Sequence, residues 1–341
     1  MPSIFNNRLR QITLLLIIIL LAGLLLQQLY IFLPGFLGAI TLYILLRERY
    51  FHLTIKKGWG KTITALLFIF ASLILIAVPI YFSIVLLTHK ISMLINNPAE
   101  IIMNAKLVGK KLEALIGIPL LTDANLLALQ KKITTILPQI LNSSANILSN
   151  FAIMFFILYF LLMNGKEVER YLEKFIPLKE QNVDLLGIET KNMVKANAIG
   201  IPVLAIIQGI VAGIGYSIFG VKDVVLWGFL TGVCSMIPIV GTGIIWVPLT
   251  VYFFAVNNIS SGIGLLVYAI VLITNIDYVA RITILKKLIN VHPLITIFGV
   301  LVGIGLFGFW GVIFGPLLIS YFIILIKIYI NEFVLLKNDT P

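Results

Sequence analysis

Side chains that carry chemistry are scarce in this chain: one cysteine, three histidines and 14 acidic residues are spread over 341 positions. The single cysteine, Cys234, excludes an internal disulfide framework and any cysteine-rich metal site, and within its apolar run it reads as a small packing residue. Charged residues amount to 11% of the chain and hydrophobic ones to 60%, where soluble domains hold roughly half apolar residues. One soluble core cannot take up that much apolar surface, and with a mean hydropathy of +1.09 the chain reads as a polytopic membrane protein with the lipid bilayer as its partner. Also absent are a GxxxxGK(S/T) phosphate loop, a zinc-protease helix, a calcium loop and a nucleophile elbow. No enzyme is expected, and no cofactor or metal is called for. Any uphill work has to draw on an ion gradient, the substrate's own gradient or a partner.

What is abundant is positive charge beside apolar spans. Twenty-five Lys and Arg against 14 Asp and Glu give a net charge of +11. In a soluble chain that balance would suggest nucleic acid. Here it follows the positive-inside rule, and no nucleic-acid partner is expected.

The run ITLLLIIILLAGLLL after Arg8 and Arg10 is too long for a signal-peptide core and lacks a small-residue cleavage site, so it reads as a retained helix. A second span continues past the Pro34-Gly35 break to Leu46, and the two predict a helical hairpin. The loop that follows sets Arg47, Arg49, Lys56, Lys57 and Lys61 against Glu48 alone, which makes it cytoplasmic. A third span, from Thr62 to about Leu87, completes an N-terminal transmembrane section, residues 1–87. In residues 88–145, Lys106, Lys110, Lys111 and Glu113 interleave with Leu107, Leu112, Leu115 and Ile116 at helical spacing, which predicts a small extracytoplasmic cap of amphipathic helices. Residues 146–197 join a span, Asn146 to Met163, to a charged stretch in which EVERYLEKF has the period of an interfacial helix. Residues 198–336 form the expected transport core. With both termini in the cytoplasm, seven of the 25 Lys and Arg fall outside, six of them in the cap.

Glycine and proline interrupt the core where no continuous helix tolerates them: MIPIVGTGIIWVP from Met236 to Pro248, and HPLITIFGVLVGIGLFGFWGVIFGP from His292 to Pro316. In hydrocarbon an unpaired backbone group costs several kcal/mol, so broken backbone survives only where protein or a water-filled cavity satisfies it. Both segments share a GxxxG opening (Gly228/Gly232 and Gly299/Gly303), a helix-breaking centre and a proline (Pro248; Pro316) followed by an apolar tail. One enters from outside and the other from inside. The expected fold is therefore an all-α polytopic membrane protein of about eight transmembrane helices, with two broken or re-entrant hairpins in an inverted repeat plus the cap. Further GxxxG patterns at Gly209/Gly213 and Gly311/Gly315 allow close helix approach, as bundle packing, a sliding interface or an oligomer contact, and a homo-oligomer is expected.

Few intramembrane groups can line a pathway. Asp277 and Arg281 lie four apart and share a helical face, as an interfacial ion pair or as a substrate or proton-coupling site, with Asn275 close by. Gln208 and Asn197 are helix glue or site-lining groups. His292, before Pro293, is a helix-entry histidine or a proton sensor. The predicted pathway set is Gln208, Pro238, Gly241, Asn275, Asp277, Arg281 and Gly308, around one polar cavity.

The run IIQGIVAGIGYSIFGVKDVVLWGFLTGVCSMIPIVGTGIIWVP, then NIDYVAR, then HPLITIFGVLVGIGLFGFWGVIFGPLL resembles the autoinducer-2 exporter (AI-2E) family, also called PerM-like permeases. The resemblance is dense from about Gln208 to Pro316, and its specific parts are IP-x-x-G at Ile237 to Gly241 and HP-L at His292 to Leu294. It implies a permease of the bacterial inner membrane with about eight helices, and substrates ranging from autoinducer-2 to sodium or lithium ions exchanged for protons. Where many members carry Arg-Pro after the DxxxR element this chain has Arg281-Ile282, a departure that bears on local geometry. The expected function is export of a small polar solute by a secondary transporter. The alternatives are a monovalent cation/proton antiporter using Asp277, which Arg281 beside it would keep ionised, and a membrane scaffold that binds a partner through the cap.

Overall fold

A computed structural model of the chain describes residues 2–96, 109, 144–176, 178–238, 240–288, 293–308 and 311–330. The elements run α1 (Pro2–Leu29), α2 (Leu33–Phe51), α3 (Lys61–Asn96), α4 (Ser144–Phe175), α5 (Glu180–Lys195), α6 (Ile201–Ile218), α7 (Val224–Ser235), α8 (Gly243–Ala255), α9 (Ile259–Tyr268), α10 (Thr274–Leu288), α11 (Pro293–Phe307) and α12 (Gly311–Tyr329). Single π-helical turns at His52–Lys56, Ala196–Gly200 and Ala269–Ile273 extend or join them. Among the described residues, six helical runs are long and apolar enough to cross a membrane: Asn7–Lys56, Lys61–Leu86, Leu148–Lys174, Gln181–Ile218, Ile259–Ala280 and Gly311–Tyr329. Shorter apolar helices, among them α7 and α8 with 12 and 13 residues, accompany them. At 1.5 Å per residue these two are each about 20 Å long, short of the ~30 Å hydrocarbon core.

Several boundaries differ from expectation, each for a physical reason. The N-terminal hairpin is not formed. α1 passes into α2 through a 3-10 turn, Tyr30–Phe32, whose flanking residues keep right-handed helical dihedrals, and the two helices do not pack along one another. Pro34 breaks the hydrogen bonding there but does not reverse the chain. EVERYLEKF is not a separate interfacial helix; it continues α4 to Phe175, because nothing between Met163 and Glu167 interrupts the backbone ladder. α3 runs on to Asn96, so the first residues assigned to the cap are its last turns. The rest of the cap, apart from Gly109, lies outside the described residues.

The N-terminal core forms where α2, α3 and α4 bring together Ala39, Tyr50, Ala65, Leu158 and Leu162. At its polar end Glu169 of α4 accepts from the Tyr43 hydroxyl at 2.7 Å and from Arg47 Nη2 at 2.6 Å, while Glu48 of α2 pairs with Lys191 and Lys195 of α5. Arg47 and Glu169 keep 42% and 27% of their side-chain surface exposed, so solvent screening limits their worth. Glu169→Ala strands the Tyr43 hydroxyl and half of the Arg47 guanidinium, and should lower thermal stability in detergent by about 1–2 kcal/mol. Glu169→Gln, which still accepts from Tyr43, should recover part of it.

In the C-terminal half the glycine faces pack against each other. A Cβ on Gly228 of α7 would lie 2.9 Å from the Gly209 carbonyl of α6 and 3.2 Å from Gly213 Cα. Gly303 of α11 lies against Gly311 of α12, and Gly299 against Gly315 and Pro316. The small-residue faces behind the expectation of a homo-oligomer are thus occupied within the chain. α11 and α12 form a closely packed hairpin, whereas α7 packs mainly on α6, and α8 on α9. Ala212, Tyr216, Ile245, Leu249, Leu265, Ala269 and Ile273 fill the space between these last helices.

Candidate functional site at two paired π turns

A π turn widens the helix by one residue and disturbs the regular i→i−4 ladder, and such turns recur at functional sites. The turn at Ala269–Ile273 leads from α9 into α10, and side chains close around its carbonyls. Thr274 Oγ1 donates to the Ala269 carbonyl at 3.1 Å, and Asn275 Nδ2 to Ile270 at 3.2 Å and Val271 at 2.9 Å. Gln208 Nε2 reaches across from α6 to the Ile273 carbonyl at 3.3 Å. Gln208 is fully buried, and its Oε1 meets no hydrogen-bond donor among the described residues. Two nearby hydroxyls are satisfied, that of Tyr216 at 2.8 Å from Thr231 Oγ1 and that of Tyr268, which donates to the Val211 carbonyl at 2.8 Å, whereas Trp246 Nε1, packed against the same cluster, meets no acceptor among the described residues.

The second π turn, Ala196–Gly200, opens α6, and its Asn197 donates to the Met193 carbonyl at 2.9 Å. The two turns exchange partners: the one that opens α6 packs on α10, and the one that opens α10 packs on α6. The amides that stand out in the sequence, Asn197, Gln208 and Asn275, therefore all serve π turns. Thr274 does not stand out there, and no local pattern marks a π turn in a sequence of this kind.

The other predicted site residues sit as follows. Pro238 and Gly241 form the link between α7 and α8, where the Pro238 carbonyl accepts from Val240 N at 2.9 Å and Gly241 N donates to the Ile237 carbonyl at 3.2 Å. Local turns thus satisfy the broken backbone, as hydrocarbon demands. A Cβ on Gly241 would collide with the carbonyls of Cys234 and Ile237, so the turn needs glycine. Gly308, with φ +60, takes the left-handed conformation that ends α11. Asp277 is partly buried on α10, one turn beyond Ile273. Arg281 lies on α10 by its backbone, but its side chain and the whole of His292 lie outside the described residues, so the Asp277–Arg281 pairing does too. The hydrogen bonds of Gln208, Pro238, Gly241 and Asn275 described above run to Ile273, Val240, Ile237, Ile270 and Val271.

Helices of this length and apolarity define a multi-pass α-helical membrane protein. Residues 14–331 match the family described as AI-2E family transporter, and the chain belongs to that family. It is similar to proteins named "Putative transport protein": one from Aquifex aeolicus (strain VF5), 30% identical over 172 residues, covering 50% of this chain and 49% of the relative; one from Helicobacter pylori (strain ATCC 700392 / 26695), 29% identical over 187 residues, covering 52% and 53%; and one from Treponema pallidum (strain Nichols), 30% identical over 164 residues, covering 48% and 41%. The chain's match thus spans about half the length of the first two of these relatives.

Proposed function

We propose that the chain is a secondary transporter of the plasma membrane, with both termini cytoplasmic, that exports a small polar solute along the crossing of α6 and α10. The observation that carries this reading is Gln208: a fully buried amide whose Nε2 is used and whose Oε1 is not, set against an interrupted helix. A buried polar group left without a partner costs about 1–3 kcal/mol, so its presence between α6 and the π turn calls for a use, and accepting a hydrogen bond from a passing solute is one. The reciprocal π turns support two units of opposite topology, each a π turn, a helix (α6 or α10) and a broken pair (α7 and α8, or α11 and α12). On this reading Gln208, Asn275, Asp277 and Arg281 line the path, and the breaks at Pro238, Gly241 and Gly308 are its gates. Helix ends at those breaks offer partial charges of about half an electron, which suit a neutral polyhydroxyl compound or a small ion. Exchange of a monovalent cation for protons is the second reading, favoured by the partly buried carboxylate of Asp277 beyond the π turn.

Purified protein in liposomes, assayed for efflux of small polyols with and without imposed sodium and proton gradients, separates the two. Solute efflux is expected. Sodium-for-proton exchange with no solute movement would replace the first reading by the second, and no flux of either kind would refute both.

A further inference from the structure

The break between α1 and α2 is held by a side chain from another helix. Pro34 has no N–H, so the Tyr30 carbonyl cannot receive the usual bond from residue 34 and takes one from Leu33 N in the 3-10 turn instead. The next bond of a regular helix would run from Gly35 N to the Ile31 carbonyl. Both groups are instead taken by one amide, that of Asn150 on α4: Gly35 N donates to Oδ1 at 3.0 Å, and Nδ2 donates to the Ile31 carbonyl at 3.0 Å. Only this orientation of the amide serves both, and it copies the two ends of the missing peptide–peptide bond. Gly35 is what lets α4 approach, because a Cβ there would lie 2.6 Å from the Asn150 carbonyl oxygen. The break is also the junction with the C-terminal half. The Tyr30 hydroxyl donates to the Leu306 carbonyl in the last turn of α11, and Phe314 of α12 shares a small cleft with Pro34, Gly35, Gly38, Asn150, Phe151 and Met154.

We propose that Asn150 is a positioning residue that couples the displacement of α4 to the angle between α1 and α2. Gly35 N–H and the Ile31 carbonyl have two alternative partners, the Asn150 amide or each other. With α4 in place the break is open. When α4 withdraws, in hydrocarbon where no water can substitute, the two groups bond to each other and α1–α2 straightens around Pro34. Such an exchange has two discrete states, two hydrogen bonds to the Asn150 amide or one between Gly35 N–H and the Ile31 carbonyl, so the state with α4 in place is the favoured one and the withdrawal of α4 has to be driven. Residues 7–29 of α1 are exposed along their whole length, so what ties the break to the C-terminal half is the Tyr30 hydroxyl on the Leu306 carbonyl. The inference stands independently of which solute is carried.

The test uses the full chain in lipid nanodiscs with Cys234→Ser and nitroxide labels at Leu16→Cys and Arg49→Cys, read by pulsed electron spin resonance. A straight helix would separate these positions by about 50 Å at 1.5 Å per residue. Asn150→Leu should move the distance distribution toward that limit, and Pro34→Ala, which restores the missing N–H, should do the same with Asn150 intact. In the double variant the leucine should add nothing. A folded Asn150→Leu protein with the wild-type distribution, or a Pro34→Ala protein that keeps it, overturns the proposal. If Asn150→Leu alone does not fold, recovery of folding by Pro34→Ala in the double variant supports the proposal, and failure of the double variant to fold overturns it.

Discussion

Gly315→Ala should separate α11 from α12 and cost about 3 kcal/mol or more of stability. A Cβ at Gly315 falls within hard contact of the Gly299 carbonyl, and one at Gly303 within hard contact of the Gly311 carbonyl. The obstacle in each case is backbone, which cannot rotate aside as a side chain can, so the helices must move. Overpacking a well-packed site typically costs about 1–3 kcal/mol, and the backbone obstacle puts this one at or above the upper end. Gly305 is the internal control. It lies on the same hairpin, in α11, and a Cβ there would meet nothing within 4 Å, so Gly305→Ala should be neutral or slightly stabilising through helix propensity. Thermal unfolding of the purified variants in one detergent decides the matter. Equal melting of Gly315→Ala, Gly305→Ala and the parent protein would mean that the α11–α12 contact is looser than described.

Gln208→Leu is expected to reduce flux by about tenfold or more while leaving stability within about 1 kcal/mol of the parent. The substitution removes one cross-helix hydrogen bond to Ile273, and in the same stroke removes a buried acceptor that has no partner among the described residues. These changes oppose one another, because a net hydrogen bond is worth about 1 kcal/mol and an unsatisfied buried group costs a similar amount. A tenfold loss of rate corresponds to about 1.4 kcal/mol at the transition state, the size of one hydrogen bond to a passing solute. Flux measured in liposomes, set beside melting temperature, separates the two roles. A variant that transports normally would leave Gln208 as glue between α6 and the π turn and would move the pathway elsewhere. Loss of stability without a change in flux per folded molecule would lead to the same conclusion.

Much of the fold was legible because lipid makes local demands. Apolar runs of membrane length had to become helices. Of the interruptions expected from Met236 to Pro248 and from His292 to Pro316, residues 236–242 and Gly308 lie in links between helices, whereas Pro248 and Pro316 lie inside α8 and α12. The break at Pro34-Gly35 was equally legible, but its outcome was not: proline forbids one hydrogen bond and leaves the direction of the following helix to whatever packs beside it. The same limit applies to polar residues. Gln208 and Asn275 stood out as rare amides in apolar surroundings, but the carbonyls they serve belong to a π turn, and a π turn leaves no periodic mark over five residues such as AIVLI. Asn150, at the start of an ordinary span, carried no signal at all.

The sequence by itself determined that this protein partitions into a membrane as a set of helices, where those helices break, and that its small-residue faces permit backbone contact. These are consequences of transfer energy and steric limits that act within a few residues. Only the tertiary structure decided which glycine faces which, that Gln208 meets Ile273 across 65 residues of chain, and that Asn150 enters the break at Gly35 from 115 residues away. In the absence of water each buried polar group takes the nearest available partner, and nearness across a helix bundle is set by packing, which no local pattern records.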